Sequence, residues 1–154
     1  MSRRLPQLGG QERPANLAVL MREAFVALND RVLTRLAGHG FTEVRPAHAA
    51  VFQHLDDTGT TVSLLAERAQ MTKQAMAELV AHLEAHGYVR RVPDPTDRRA
   101  KLVVPTERGH DVIAFAQGLV PEIEREVAQV LGAERVRDLR ADLEAIRRTF
   151  PSRN

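Results

Sequence analysis

The chain has 154 residues, of which 44% are hydrophobic and 27% charged, with 4% aromatic and no tryptophan. That is the size of one ordinary domain with an aliphatic core, a composition that favours helices. Cysteine is absent, which excludes disulfides, thiolate metal sites and thiol redox sensing.

No apolar run approaches the roughly 18 residues that a membrane span needs. The start of the chain lacks the apolar core of a signal peptide, so a cytoplasmic location is expected. The net charge is only +2, but its distribution is uneven. Between Arg68 and Lys101, seven basic and four acidic side chains leave +3. A local basic patch of this kind is the electrostatic footprint of nucleic-acid binding.

Residues 1–14 are polar and punctuated by Pro6, Gly9, Gly10 and Pro14, the pattern of a flexible arm. Arg3 and Arg4 could touch a phosphate backbone, although a solvated tail is the simpler reading. From Ala15 to Ala37, apolar residues recur at helical spacing through Leu17, Met21, Phe25, Leu28, Val32 and Leu36. Gly38 and Gly40 end that helix. Pro46 suits the first turn of a second helix with Val51, Phe52 and Leu55 inside. Asp56-Asp57-Thr58-Gly59 is a turn, and Thr60-Thr61-Val62 could form a very short strand.

Ser63 is the expected N-cap of a short third helix, Leu64 to Ala69. Thr72 is the expected N-cap of a fourth helix that stops at Gly87. Tyr88 to Val92 and Lys101 to Val104 are two strands around the turn-rich Pro93 to Asp97. Thr106 caps a long fifth helix in which Pro121 should produce a kink. Gly132 breaks it. In the last helix Val136, Leu139, Leu143, Ile146 and Phe150 are spaced alternately three and four apart, the seam that packs on another helix. The fold class is mainly α with a small β-hairpin wing: a winged helix-turn-helix.

The fourth helix has Ala75, Met76, Leu79, Val80 and Leu83 on one side. Lys73, Gln74, Ala77, Glu78 and Ala81 occupy the other, with His82 at the edge. Small residues let such a helix approach DNA closely. Lys73 can reach guanine or phosphate, and Gln74 can pair with adenine. Glu78 can accept from a cytosine amine or orient a nearby cation. A solvated helix face is the competing reading, and the neighbouring basic hairpin weighs against it. At the hairpin, an exposed arginine from Asp97-Arg98-Arg99 can enter a narrow minor groove. Arg98 is the expected DNA contact and Arg99 the expected partner of Asp97, the two being nearly interchangeable. Ser63, Arg68, Thr72, Arg90, Arg91 and Lys101 complete the expected DNA-facing set.

The stretches Leu83-Glu84-Ala85-His86-Gly87-Tyr88-Val89-Arg90-Arg91, Pro93 to Val103 with Asp97-Arg98-Arg99, and Thr106-Glu107-Arg108-Gly109 closely resemble the MarR family of winged-helix transcription regulators. The resemblance spans Ala15 to Phe150 in element order. Two departures are Pro105, which should shorten the second strand, and Gln70, where many members carry glycine. The resemblance implies one domain over residues 15–150. Residues 38–105 would be its winged helix-turn-helix core, and 15–37 and 106–150 its N- and C-terminal dimerisation helices. It also implies a homodimer joined by Leu17, Val136, Leu139, Leu143, Ile146 and Phe150. That dimer would be a repressor on a pseudopalindromic double-stranded DNA operator, with half-sites about one helical turn apart.

Such regulators often release DNA when a small aromatic or anionic effector binds between the dimer helices and the winged domain. Candidates on the first, second and fifth helices and their flanks are Arg22, Phe25, Asn29, His48, Phe52, His54 and His110. Core and surface filling is the bland alternative for each. His82 and His86 have metal-ligand spacing, but no third ligand is evident, and neither metal nor cofactor is expected. An enzyme would need a catalytic constellation, and none of the usual motifs is present. A winged helix used only for protein contacts is the remaining alternative, and the basic wing discriminates against it.

Overall fold

A computed structural model describes residues 7–150. Residues 7–12, expected as part of a flexible arm, form a small ribbon of strands β1 (Gln7–Leu8) and β2 (Gln11–Glu12). Arg3 and Arg4 lie outside the described residues.

Helix α1 (Leu17–Gly38) starts one residue after Asn16, whose side chain accepts the Val19 N–H at 3.0 Å. The second helix is shorter than its sequence suggests. Pro46–His48 forms a 3-10 turn that continues into α2 (Ala49–Phe52), leaving Leu55 outside. Helix α3 (Val62–Ala69) corrects the sequence reading of its start. Thr61, not Ser63, is the N-cap, because its hydroxyl accepts the Leu64 N–H at 3.2 Å. Only Thr60 of the expected short strand pairs, as an isolated bridge to Val103.

The turn between α3 and α4 (Lys73–Ala85) places Gln70 at φ 55°, ψ 42°. That is left-handed backbone, which explains why glycine suits this position. Thr72 caps α4 through the Ala75 N–H.

Strands β3 (Val89–Pro93) and β4 (Lys101–Pro105) pair antiparallel, with Val89 opposite Pro105 and Pro93 opposite Lys101. Pro105 therefore does not shorten the second strand. It sits at its last position, where its missing N–H disturbs nothing further along. The long helix α5 (Glu107–Leu131) passes through Pro121 without interruption, and Gly132 joins it to α6 (Ala133–Thr149). No helix among the described residues is long and apolar enough to cross a membrane.

The core lies inside the winged unit. Leu65 and Ala66 of α3, Met76, Val80 and Leu83 of α4, and Val89 and Val103 of the wing pack on Val51, Tyr88 and Val112. Gly109 is where α5 meets the base of β3, since a Cβ there would lie 2.0 Å from the Tyr88 carbonyl oxygen. The Thr-x-x-Gly opening of α5 thus supplies a cap and a close approach in one stretch. By contrast α6 has no fully buried residue.

Candidate nucleic-acid interface

Helices α3 and α4 pack together, with the start of α4 left on the surface. Lys73, Gln74 and Glu78 are exposed on it and Ala77 is half-buried. No ion pair engages Lys73 or Glu78 among the described residues. Glu78 therefore does not orient a cation here. Ser63 and Thr72 are also exposed, but Thr72 spends its hydroxyl as the cap.

Two of the seven basic residues in this region serve the chain itself. Arg68 donates to the His54 carbonyl and to Asp56 Oδ2, both at 2.8 Å, and so braces α3 against the preceding turn. Arg91 Nε lies 3.6 Å from Glu84 Oε1, tying the wing to the end of α4. Arg90, Arg98, Arg99 and Lys101 are exposed, with no ion pair among the described residues.

The wing tip corrects the expected pairing. Asp97 does not bind the Arg99 guanidinium; its Oδ1 accepts the Arg99 backbone N–H at 2.9 Å. Asp94 turns the other side of the loop by accepting the Thr96 N–H and hydroxyl, both at 2.8 Å. Those two bonds hold the Asp94 carboxyl below its ordinary range. Both acids thus stiffen the backbone and leave both arginine side chains without an ion pair among the described residues.

Behind this surface lies a polar cluster that sequence reasoning missed. The Tyr88 hydroxyl donates to Glu43 Oε2 at 2.8 Å, and Arg108 Nη2 reaches the same oxygen at 2.9 Å. The Arg108 guanidinium also lies over the Tyr88 ring, 4.4 Å from its centre. The tyrosine hydroxyl is the main cause holding the Glu43 carboxyl below its usual value, while burial chiefly pushes Tyr88 up. The cluster joins the loop after α1, the base of the wing and the start of α5. Tyr88 and Arg108 lie in the recognisable stretches Leu83–Arg91 and Thr106–Gly109, and only Glu43 lies outside any motif.

His82 does not face outward. Its Nε2 donates to the Glu43 carbonyl at 3.0 Å, and its ring stacks on His48 with centres 4.6 Å apart. The His86 ring lies 4.3 Å from that of His82 and is tilted by 35°. No three His, Cys, Asp or Glu side chains among the described residues are grouped to hold a metal ion.

A cavity of about 240 Å³ opens between α1, α2 and α5. Of the seven expected effector residues, Asn29 and Phe52 line it. The others do not. His48 is buried beside His82, where its Nδ1 accepts the Arg45 N–H at 2.9 Å, and burial pushes its pKa down to about 4. His54 meets Arg68 through its carbonyl, and His110 lies 3.8 Å from Asp57. Arg22 and Phe25 are exposed on α1 away from the cavity lining.

The six expected dimer residues lie at the two ends of the chain. Leu17 is 64% and Phe150 74% exposed, Leu139 and Leu143 are also exposed, and Val136 and Ile146 are half-buried.

Comparison with known proteins agrees with this architecture. Residues 42–100 match the family model described as MarR family. The transcriptional regulator HosA of Escherichia coli O111:H- is 32% identical over 90 residues, which cover 58% of this chain and 67% of HosA. The structure is similar to apo MarR from E. coli, with TM-score 0.71 and 20% identity over 87% of this chain and 98% of that one. It is also similar to the repressor CouR bound to a 23-mer DNA duplex, with TM-score 0.69 and 23% identity over 85% and 92% of the two chains. With two helices and a hairpin wing in the expected order and a relative matched over two thirds of its length, the chain belongs to the MarR family of winged helix-turn-helix transcriptional regulators.

Proposed function

We propose that the chain acts as a cytoplasmic homodimer that binds a pseudopalindromic double-stranded DNA operator, represses transcription and is released by a small-molecule effector. The observation that carries this reading is the shared exposure of Lys73, Gln74 and Glu78 on α4 with unpaired Arg98 and Arg99 on the wing. In this reading the helix reads base edges in a major groove and the wing reaches an adjacent minor groove. Ser63, Thr72, Ala77, Arg90 and Lys101 flank those contacts, and Arg68 and Arg91 position the elements that carry them. The duplex held by CouR supports this through the common fold.

Residues 15–150 form the single domain of the proposal, with 38–105 as its DNA-binding core and 15–37 and 106–150 as its dimerisation helices. The exposed apolar residues of α1 and α6 support pairing, because large apolar patches on a lone chain are costly in water. The two copies would then meet half-sites about one helical turn apart.

The test is selection of fragments from a genomic DNA pool by the full chain, followed by binding titrations at several salt concentrations. Recovery of a pseudopalindrome, bound with an affinity that falls steeply with salt, is expected from phosphate contacts. No enriched sequence and a flat salt dependence would overturn the reading in favour of a protein-interaction module.

A further inference from the structure

Among the described residues, no ionisable side chain lines the cavity between α1, α2 and α5. Its floor is apolar: Leu36 and Val112 are almost fully buried, and Phe52 forms a wall. Its polar groups are three primary amides. Asn29 is half-buried, while Gln53 and Gln117 are exposed at the mouth. None of the three side chains has a hydrogen-bond partner among the described residues. On α1, Arg35 is already committed to Glu122 and Glu126.

We propose that this cavity takes an uncharged ligand of one or two rings that carries both a hydrogen-bond donor and an acceptor, and that it rejects carboxylates and amines. The proposal rests on the effector reading above and narrows it, keeping the aromatic half of the aromatic or anionic effector that the resemblance implies and excluding the anionic half.

Size and charge both lead there. A cavity of about 150 Å³ lined by apolar groups holds benzene, and this one is about 240 Å³. An ion entering it would lose water and gain no opposite charge in return. A primary amide offers two donors and an acceptor, and so matches a carboxamide, lactam or similar neutral group.

Three probes of nearly one shape decide the matter: 2-naphthamide, 2-naphthoate and 2-naphthylmethylammonium, titrated calorimetrically into the full chain at pH 7.5. The amide should bind at least tenfold more tightly than either ion. Gln117→Leu should weaken the amide about tenfold, and Gln117→Lys should reverse the order in favour of naphthoate. Position 117 is exposed on α5, and unfolding temperatures check that both variants keep their fold. Equal or tighter binding of naphthoate to the unaltered chain overturns the ligand class but leaves the effector site standing. Failure of all three probes at millimolar concentration overturns both.

Discussion

Arg98 and Arg99 are adjacent, yet the wing treats them differently. Arg99 is anchored through its backbone N–H to Asp97, whereas no hydrogen bond ties Arg98 among the described residues. In the proposed complex, Arg98→Ala should weaken operator binding by about 1–3 kcal/mol if the side chain reaches a base edge. Fluorescence anisotropy at fixed salt measures this, and an unchanged affinity removes Arg98 from the interface.

His48 should make stability depend on pH, with a sign that its burial sets. Its ordinary pKa of 6.5 falls to about 4 in the fold, so the unfolded chain binds more protons between those values. Stability should hold above about pH 6.5 and decline as pH falls toward 4, by on the order of 2–3 kcal/mol from this residue. His82 on α4, Arg45, and His86 just past the end of α4 oppose its protonation in the same direction. His48→Asn, which keeps an acceptor but cannot titrate, should flatten that slope in denaturant unfolding measured at successive pH values. A slope identical to that of the unaltered chain would remove His48 as its source. None of this is legible in the sequence. A histidine beside Pro46 carries no signal of whether it faces a cavity or a stack of imidazoles.

The helices of this chain announce themselves through period, and the hairpin through its turn residues. Their limits are harder to read, because neighbouring residues can offer the same chemistry. Thr61 and Ser63 both carry a hydroxyl, and only the backbone path decides which one caps α3. The structure assigns Thr61. Thr61→Ala should therefore cost about 1 kcal/mol, and Ser63→Ala, exposed within the helix, only a few tenths. Equal losses in chemical denaturation would contradict the assignment. Pro105 misled for a related reason: proline excludes a central strand position, but the end of a two-stranded ribbon tolerates it.

At the scale of the molecule, the least legible feature is the long-range contact. Glu43, Tyr88 and Arg108 are far apart in sequence and meet around one carboxylate oxygen. Helical periodicity says which face of α1 or α5 is apolar, not which distant loop will meet it. The seam on α6 is the opposite case. Its alternating spacing was plain, and its residues remain largely exposed in the single chain. Within the proposed homodimer, Leu143→Asp should convert a sedimenting dimer into monomer, because it places a charge in the apolar seam. Persistence of the dimer would move the interface elsewhere.

Pro121 removes one rung from the hydrogen-bond ladder of α5, although the helix runs on through it. Proline has no N–H, so the carbonyl of Gln117, one turn earlier, loses its usual intrahelical donor. That residue also lines the cavity. Before Pro121, Val112 belongs to the core of the winged unit. Beyond it, Glu122 and Glu126 hold α1 through Arg35, and α6 follows. A filled cavity would press on the one turn of this long rod with a missing rung. The backbone amides just after Pro121 should exchange with solvent faster than those at the centre of either half of α5, and filling the cavity should slow them.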